Sequence, residues 1–409
     1  MGCAHPRFWG WVISPGTPMG MLSEMLAAAL NPNLGGGSHV ANHVEEQVID
    51  WCKEMLGYPA SASGLLVSGG SMANLVGLTV ARNAHGGGDI RKDGVPASRL
   101  MLYCSTEAHS SVQKAVELLG LGSDSIHFIP VDADFRIDIV ALERAIAEDR
   151  AAGRHPWCLV GSAATTNTAS FDDLNRLADI AAREKLWYHV DGAFGALAAL
   201  APDLRPLTAG MERADSLAFD LHKWFYAPFE VGCTLVRDRD QHRSAFTLTP
   251  SYLAHGERGI AAGKDWFSDF GIQLTRGFRA LKVWMMVKSE GIDKYGRLIQ
   301  QNVDQARYLA ELVNAAPELE LVAPVALNVV CFRFRADGLD GEALNAVNYE
   351  LLIRLQESGA AIVSGTMLGG RRAIRMCNVN HRSRREDFDL LVREVIRFGK
   401  EVVAESVYN

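Results

Sequence analysis

The apolar and polar residues of the first two thirds of the chain follow two alternating patterns, which predict strands and helices in turn. Short apolar runs bounded by Gly, Ser or Asp predict buried strands, and the amphipathic stretches between them predict helices. Strands are predicted at LLVSGG (a strand or a turn), RLMLYCS, WCLVGSAAT, LWYHVDGAF, DSLAFDL and GCTLVRD, and helices at SMANLVGLTVARNA, SSVQKAVELLG and DDLNRLADIAAREK. This alternation is typical of a mainly parallel sheet covered by helices.

The pattern changes near residue 278, where longer helical stretches begin. RALKVWMMVKSE and NVDQARYLAELVNAA are followed by alternating strands at NVVCFRFRA and RAIRMCNVN and by a final amphipathic helix, REDFDLLVREVIRFGKEVV. We therefore predict an N-terminal segment at 1–45, a large α/β domain at 46–280 and a smaller C-terminal α/β domain at 281–409. The stretches 85–96 and 253–269 are predicted to be long surface loops, which in compact domains often act as lids.

Composition and charge narrow the function classes. The 409 residues are 48% hydrophobic and 22% charged, with a formal net charge of −7, and no basic stripe is present. A nucleic-acid partner is therefore not expected. No uncharged apolar run reaches membrane-spanning length and no signal peptide begins the chain, so no membrane association is expected. The seven cysteines are scattered without a CxxC pair, which favours reduced thiols and a cytoplasmic location.

Several common site motifs are missing. The sequence has neither a GxGxxG after its first strand nor a P-loop, so it does not predict a dinucleotide or nucleoside triphosphate site. His39 and His43 have helical i, i+4 spacing, but Val40 stands where a zinc protease carries glutamate. No metal site is predicted.

Three other stretches could carry chemistry together. In SGGSMANL, Gly70 and Ser71 precede an apolar helix, whose N-terminus could hold a phosphate, although Ser71 could equally be only an N-cap. Asp191 ends a predicted strand, where open α/β sheets bind ligands, or it could cap the next helix. In DLHKWFYAP, His222 and Lys223 follow another strand end amid apolar and aromatic residues.

A phosphate cradle, a strand-end carboxylate and a lysine in apolar surroundings are the three requirements of pyridoxal 5'-phosphate (PLP). This cofactor needs a site for its phosphate, an acid that keeps its ring nitrogen protonated and a lysine that bonds to its aldehyde. A buried lysine has a destabilised ammonium and a nucleophilic amine. The combination therefore predicts a PLP enzyme.

The ordered motifs resemble those of the group II PLP-dependent decarboxylases, which include aromatic-L-amino-acid, histidine and glutamate decarboxylases. The matching stretches are HPRFWGW, SGGSMANL, EAHSSVQKA, TTNTASFDDL, HVDGAFG, DLHKW and RGFRALKVW, and they span nearly the whole chain. The resemblance implies the fold type I of PLP-dependent transferases, with a large, mainly parallel seven-stranded sheet domain and a smaller C-terminal α/β domain. It also implies a homodimer with active sites at the interface, and an L-amino acid as substrate.

The resemblance assigns roles to single residues. Lys223 corresponds to the lysine that bonds to the cofactor, and Asp191 to the partner of its ring nitrogen. His109 would stack on one face of the ring and Ala193 would pack on the other. The alternative for His109 is a histidine at a helix start that bonds to backbone.

Further assignments concern the phosphate and the substrate. Gly70 and Ser71 would hold the phosphate, Thr166 would lie near the cofactor, and His222 would reach the phosphate or the substrate carboxylate. Arg375 could be a carboxylate clamp, as in related transaminases, but a structural role in the small domain is favoured.

The substrate pocket and the catalytic loop are assigned in the same way. Trp11, Val12 and Leu34 correspond to positions that line the side-chain pocket, which favours an aromatic amino acid. Phe267 falls where aromatic decarboxylases carry a loop tyrosine that helps protonate the substrate carbon. In plant relatives a phenylalanine there accompanies aldehyde synthases, whose products are an aldehyde, ammonia and peroxide.

Three hypotheses follow. The first is a decarboxylase that converts an L-amino acid, preferably aromatic, to the amine and CO2. The second is an aromatic aldehyde synthase, favoured by Phe267. The third is a non-catalytic homologue acting as an interaction protein, which the presence of Lys223, Asp191 and His109 disfavours.

Overall fold

A computed structural model describes residues 1–95, 100–248, 256, 258–263 and 265–407. Part of each predicted long loop lies outside the described residues, namely position 96 of the first and positions 253–255, 257 and 264 of the second. Within the described residues, no helix is both long enough and apolar enough to cross a membrane.

The large domain is built on a seven-stranded sheet with the order β2-β8-β7-β6-β5-β3-β4. Its strands are β2 (Ser63–Val67), β3 (Leu100–Ser105), β4 (Ile126–Ile129), β5 (His155–Ser162), β6 (Trp187–Asp191), β7 (Ser216–Asp220) and β8 (Gly232–Val236). Only β8 runs antiparallel to its neighbours in this sheet. The predicted mainly parallel seven-stranded sheet is confirmed.

Helices cover this sheet, and several begin at the polar residues that the sequence offers as caps. The helices of this part of the chain are α1 (Pro18–Leu30), α2 (Val40–Met55), α3 (Gly70–His85), α4 (Ile90–Asp93), α5 (Ser110–Leu118), α6 (Ile139–Ala151), α7 (Leu174–Glu184), α8 (Arg239–Phe246) and α9 (Arg279–Glu290). Asp173 caps α7 by accepting a hydrogen bond from the backbone N–H of Arg176 at 3.0 Å. Such a cap stabilises a helix by about 1 kcal/mol.

A second, five-stranded sheet forms the smaller domain, with the order β1-β11-β12-β10-β9. Its strands are β1 (Phe8–Trp9), β9 (Leu319–Leu321), β10 (Val329–Phe334), β11 (Ile362–Leu368) and β12 (Arg371–Cys377), and its helices are α10 (Ile292–Ala315), α11 (Gly341–Glu357) and α12 (Arg385–Val407). Strand β1 pairs in parallel with β11, so the start of the chain belongs to the small sheet. The domain boundaries predicted above stay predictions.

The ends of three neighbouring parallel strands bring polar residues to one edge of the large sheet. Ser162 ends β5, Asp191 ends β6 and Asp220 ends β7, and the strands pair in that order. In an open α/β sheet this edge is where ligands bind. The N-terminal segment and the small domain close the same edge from the other side, because Trp11, Val363 and Arg375 line one cavity with Asp191.

Candidate active site

A cavity of about 670 Å3 lies at the carboxyl ends of the parallel strands. Seven of the residues that the sequence assigned to the site line it: Trp11, Val12, His109, Thr166, Asp191, Ala193 and Lys223. These residues come from five separate stretches of the chain. The fold therefore brings together most of the predicted site.

Five assigned residues lie outside the lining of this cavity. Gly70 lies directly behind it, since a Cβ at that position would come within 2.8 Å of the Ala193 Cβ. His222 is buried beside Gly69. The others are Ser71, which is exposed, and Leu34 and Phe267, which lie in a different part of the same chain.

Lys223 follows the end of β7 and points into the cavity. Its Nζ lies 2.9 Å from the Asp220 Oδ2, and the Asp220 side chain is 2% exposed. The second oxygen of this carboxylate, Oδ1, is buried without a hydrogen-bond partner among the described residues. A buried lysine requires such a partner, because an uncompensated charge in the interior is costly.

Asp191 ends β6 and presents its carboxylate to the cavity. Its Oδ1 accepts a hydrogen bond from the backbone N–H of Ala193 at 3.1 Å, and its Oδ2 accepts one from the Asn74 side chain at 2.9 Å. The side chain does not cap a helix, so the alternative interpretation of Asp191 is wrong. These two hydrogen bonds fix the orientation of the carboxylate toward the cavity.

His109 combines the two interpretations that the sequence left open. Its Nδ1 accepts a hydrogen bond from the backbone N–H of Ser111 at 3.2 Å, which caps α5, while the ring also lines the cavity. Burial lowers the pKa of His109, with Asp191 acting in the opposite direction. The ring is therefore neutral at pH 7 and suited to stacking on a planar group.

The N-terminus of α3 is open to an anion. Gly69 occupies the N-cap position and no side chain caps the helix there, so Ser71 is not the cap. A Cβ at Gly70 would come within 2.9 Å of the Asp220 Oδ2. The absence of side chains at these glycines leaves the first backbone N–H groups accessible, and such groups bind phosphate well.

Arg375 lines the cavity but is engaged by the protein itself. Its guanidinium donates to the backbone oxygens of Trp11 (2.9 Å), Asn167 (3.1 Å) and Thr166, and its side chain reaches the Ser364 Oγ at 3.3 Å. These contacts join the N-terminal segment, the loop after β5 and the small sheet. They fit the structural role favoured for Arg375.

Leu34 and Phe267 lie around another arginine, Arg276. Its backbone oxygen accepts a hydrogen bond from the Leu34 N–H at 2.9 Å, and its guanidinium carbon lies 4.9 Å from the centre of the Phe267 ring. The guanidinium also pairs with the buried Glu45. Within one chain, Phe267 is therefore held by Arg276 and not by the cavity.

Sequence reasoning did not single out two polar residues behind the site, Asn74 and Ser111. Asn74 lies in the quoted motif SGGSMANL, and its amide bonds to both Asp191 and Ser111. The structure shows Asn74 fully buried on an otherwise apolar helix face, but this burial cannot be read from the sequence alone. Such residues are hydrogen-bonded when buried.

The residues at this cavity fit PLP. The open N-terminus of α3 matches a phosphate, the Asp191 carboxylate matches a protonated ring nitrogen, and the Lys223 amine matches an aldehyde. The three groups lie on adjacent structural elements, since α3 packs against β6 and β7.

Comparison with known proteins also indicates a PLP-dependent enzyme. The family model of the pyridoxal-dependent decarboxylase conserved domain matches residues 3–335. An aromatic-L-amino-acid decarboxylase of Bacillus atrophaeus is 36% identical over 401 residues, covering 97% of this chain and 82% of that protein. A phenylacetaldehyde synthase of Arabidopsis thaliana is 30% identical over 383 residues, covering 90% and 77%. The crystal structure of Oryza sativa TDC with PLP and tryptamine has a TM-score of 0.90 and 28% identity, covering 98% of this chain and 84% of that one.

The family model spans most of the chain, and the Bacillus relative matches almost all of it. The resemblance noted in the sequence is confirmed, as are the fold type and the cofactor. The chain belongs to the pyridoxal-dependent decarboxylase family and is a PLP-dependent carboxy-lyase that acts on an amino acid.

Proposed function

We propose that this protein converts an L-aromatic amino acid to the corresponding amine and CO2 in the cavity at the carboxyl ends of β5, β6 and β7. The observation that carries the proposal is the placement of Lys223 and Asp191 on neighbouring strand ends, facing one cavity with an apolar wall. Val12, Ile13 and Val363 contribute to that wall.

Each polar residue has a separate task. Bound PLP supplies an electron-withdrawing ring that accepts the electron pair of the breaking bond between Cα and the carboxylate. Asp191 keeps the ring nitrogen protonated, and the N–H groups at the start of α3 hold the phosphate. Lys223 would hold the cofactor through its amine, and the neutral His109 would lie against the ring.

The charges at the cavity support an aromatic over an acidic side chain. Among the described residues that line the cavity, the Lys and Arg side chains are Lys223, paired with Asp220, and Arg375, engaged by backbone oxygens. Neither is available for a substrate side-chain carboxylate. Glu107 also lines the cavity and would repel a carboxylate on the substrate side chain.

The substrate class is tested by comparing kcat/KM for phenylalanine, tyrosine, tryptophan and dihydroxyphenylalanine with that for glutamate. We expect the best aromatic substrate to exceed glutamate by about a hundredfold or more, since an unpaired buried carboxylate is rejected strongly. A higher kcat/KM for glutamate would overturn the aromatic assignment.

A second candidate, an aromatic aldehyde synthase, is favoured by Phe267. A phenylalanine cannot donate a proton to the substrate carbon, and Phe267 lies outside the cavity of its own chain, against Arg276. This candidate therefore requires a dimer in which the segment carrying Phe267 approaches the partner's cavity. The two candidates differ in their products, which are the amine alone or the aldehyde with ammonia and peroxide.

We also propose a homodimer with active sites at its interface, supported by the inverted polarity of α1. This helix turns Gly20 and Ser23 inward, whereas its large apolar side chains face outward. Met21, Leu22, Met25, Leu26 and Leu30 are 57%, 48%, 65%, 48% and 65% exposed. A contiguous apolar face of this kind is typical of an interaction surface, and Trp11, 63% exposed, lies at the rim of the cavity.

The dimer is tested by analytical ultracentrifugation of wild type and Met25→Glu, with the exposed Val140→Glu on α6 as a matched control. We expect wild type and Val140→Glu to sediment as dimers and Met25→Glu to dissociate or weaken. A monomeric wild type, or a Met25→Glu dimer as tight as wild type, would contradict the assignment of α1 to the interface.

The cysteines support the proposed cytoplasmic location. All seven are unpaired, and all except Cys3 are buried. Burial raises the pKa of the Cys104 and Cys331 thiols to about 12, which keeps them protonated and unreactive at neutral pH. Such thiols are typical of proteins from a reducing compartment.

A further inference from the structure

A buried chain of hydrogen bonds lies behind the cavity and has Asn74 at its centre. The Asn74 Nδ2 donates to the Asp191 Oδ2 and to the Ser111 Oγ, both at 2.9 Å. Its Oδ1 lies 2.9 Å from the Nε2 of His189, a fully buried residue two positions before Asp191. The function proposed above uses none of the residues Asn74, Ser111 and His189 directly.

The charge of Asp191 determines the direction of these bonds. An ionised carboxylate only accepts hydrogen bonds, so the NH2 group of the Asn74 amide must face it. The amide oxygen then faces His189 and also only accepts. His189 must therefore carry its proton on Nε2.

The direction continues beyond His189. Burial lowers the pKa of this histidine to about 4, so its ring is neutral and its Nδ1 has a free lone pair. The Ser216 Oγ, 2.7 Å away, donates to that nitrogen and accepts from the indole N–H of Trp187 at 2.8 Å. Every donor and acceptor of this branch is then satisfied.

The second branch reaches His109. The Ser111 Oγ accepts from Asn74 and lies 2.8 Å from the His109 Nδ1, which also accepts from the Ser111 backbone N–H. The Ser111 hydroxyl proton therefore points to His109, and the proton of the His109 ring is on Nε2. One amide thus connects the carboxylate of the site with its histidine.

We propose that Asn74 is a positioning residue for this site, which holds the Asp191 carboxylate toward the cavity and, through Ser111, fixes the orientation of His109. The negative charge of Asp191 sets the orientation of the Asn74 amide, and the amide sets the tautomer of His189. The proposal rests on the proposed function, in which Asp191 and His109 contact the cofactor.

The tautomers can be measured without cofactor or substrate. Apoprotein labelled with 15N-histidine is examined by long-range 1H–15N NMR, with His109→Gln and His189→Gln used to assign the two rings. We expect both rings of the wild type to be neutral and protonated on Nε2 alone. In Asn74→Ala and in the isosteric Asp191→Asn, we expect the His189 ring to become a mixture of tautomers, whereas the Ser111 backbone N–H keeps the His109 proton on Nε2.

Ser216→Ala is the control that decides what sets the tautomer. It removes the hydroxyl on the far side of His189 but leaves the carboxylate and the amide in place, so we expect His189 to keep its proton on Nε2. A changed His189 tautomer in Ser216→Ala together with an unchanged one in Asp191→Asn would overturn the proposal.

Cofactor binding gives a second readout. We expect Asn74→Ala to weaken the affinity of the apoprotein for PLP about tenfold or more, since a hydrogen bond to a charged group is lost. Asn348→Ala is the matched control: this amide on α11 is equally buried but bonds to the Phe334 backbone, and its loss should leave PLP affinity unchanged.

The outcomes separate this inference from the proposed function. Wild-type PLP affinity in Asn74→Ala would overturn the positioning role. A wild type that binds PLP but releases no CO2 from any amino acid would overturn the proposed function and leave the NMR result intact.

Discussion

Lys223 Nζ lies 2.9 Å from Oδ2 of Asp220, the residue that ends β7 three positions earlier. The pair gives the lysine a partner in the protein when its amine is not bonded to the cofactor. The pair also explains why a lysine is tolerated next to Leu221, Trp224 and Phe225, all of which are fully buried. The Lys223 side chain is 22% exposed because it reaches the cavity, and the Asp220 carboxylate compensates its charge.

Lys223→Ala should abolish covalent attachment of PLP and lower kcat about a thousandfold or more, as the loss of a covalent catalytic group does. Borohydride reduction of the PLP-loaded wild type, followed by peptide mapping, should place the label on Lys223. Lys114→Ala, on α5, is the control and should retain both the covalent attachment of PLP and the wild-type kcat. A label on another lysine would contradict the assignment.

The same substitution should destabilise the apoprotein, because Asp220 stays buried without its cation. We expect a loss of about 2 kcal/mol in the free energy of unfolding, less than for a fully buried pair because Lys223 is partly exposed. Adding Asp220→Asn should recover part of this loss. Urea unfolding of the two single variants and the double variant measures the coupling, and strict additivity would show that the pair does not interact.

Gly70→Ala should lower the affinity for PLP by about tenfold or more, because a Cβ would lie 2.8 Å from the Ala193 Cβ and closer than contact distance to Asp220. Gly277→Ala is the matched control, since a Cβ there meets nothing within 4 Å. Absorbance titration of the two apoproteins with PLP measures the affinity of each variant. Equal affinities for the two variants would contradict a phosphate site at the N-terminus of α3.

Arg276→Met should destabilise the fold by about 3–5 kcal/mol, because Glu45 would remain buried without its partner. Burial already raises the pKa of Glu45, with Arg276 acting to lower it. The double variant with Glu45→Gln should be more stable than Arg276→Met alone. Urea unfolding tests this, and Arg397→Ala, which removes an exposed ion pair, should leave stability unchanged.

Acid should destabilise the protein below pH 6.5. Burial lowers the pKa of His242 to about 3 and that of His189 to about 4, whereas both titrate near 6.5 when unfolded. As pH falls, the unfolded chain binds protons that the native state excludes, which costs about 1.4 kcal/mol per pH unit for each histidine. Asp172, whose pKa burial raises to about 6, acts in the opposite direction between pH 6 and 3.8.

The pH dependence is measured by urea unfolding at pH 7.0, 6.0 and 5.0 in wild type and His242→Gln. We expect stability to fall with pH in both, and less steeply in the variant, which has one buried histidine fewer. Identical slopes would show that His242 is not excluded from protonation in the native state.

Local patterns predicted the strands that carry the site. The apolar runs LWYHVDGAF and DSLAFDL contain β6 and β7, and WCLVGSAAT overlaps β5, which begins two residues earlier at His155. The small or charged residues that end these strands mark the ligand-binding edge. Lys223 and Asp191 could be predicted at the site because their chemistry and their strand-end positions are readable in sequence, whereas His109 was predicted there only from the resemblance to the decarboxylase family.

Contacts between distant parts of the chain could not be predicted in this way. Strand β1 is only two residues long and is defined by its pairing with Ile362 and Val363. Asn74 looks like an ordinary helix residue until β6 places Asp191 and His189 beside it. Phe267 was assigned by its order in the chain, but the contact with Arg276 that holds it outside the cavity is a tertiary one.

The most direct test mixes PLP-loaded protein with phenylalanine, tyrosine, tryptophan and dihydroxyphenylalanine in air. CO2, amine, aldehyde and peroxide are measured together. The assay compares wild type with Phe267→Tyr and with the control Phe128→Tyr. We expect amine equal to CO2 and no peroxide in wild type. The opposite result would be aldehyde and peroxide equal to CO2 in wild type, with amine formed by Phe267→Tyr alone. That result would contradict this expectation and favour the aldehyde synthase.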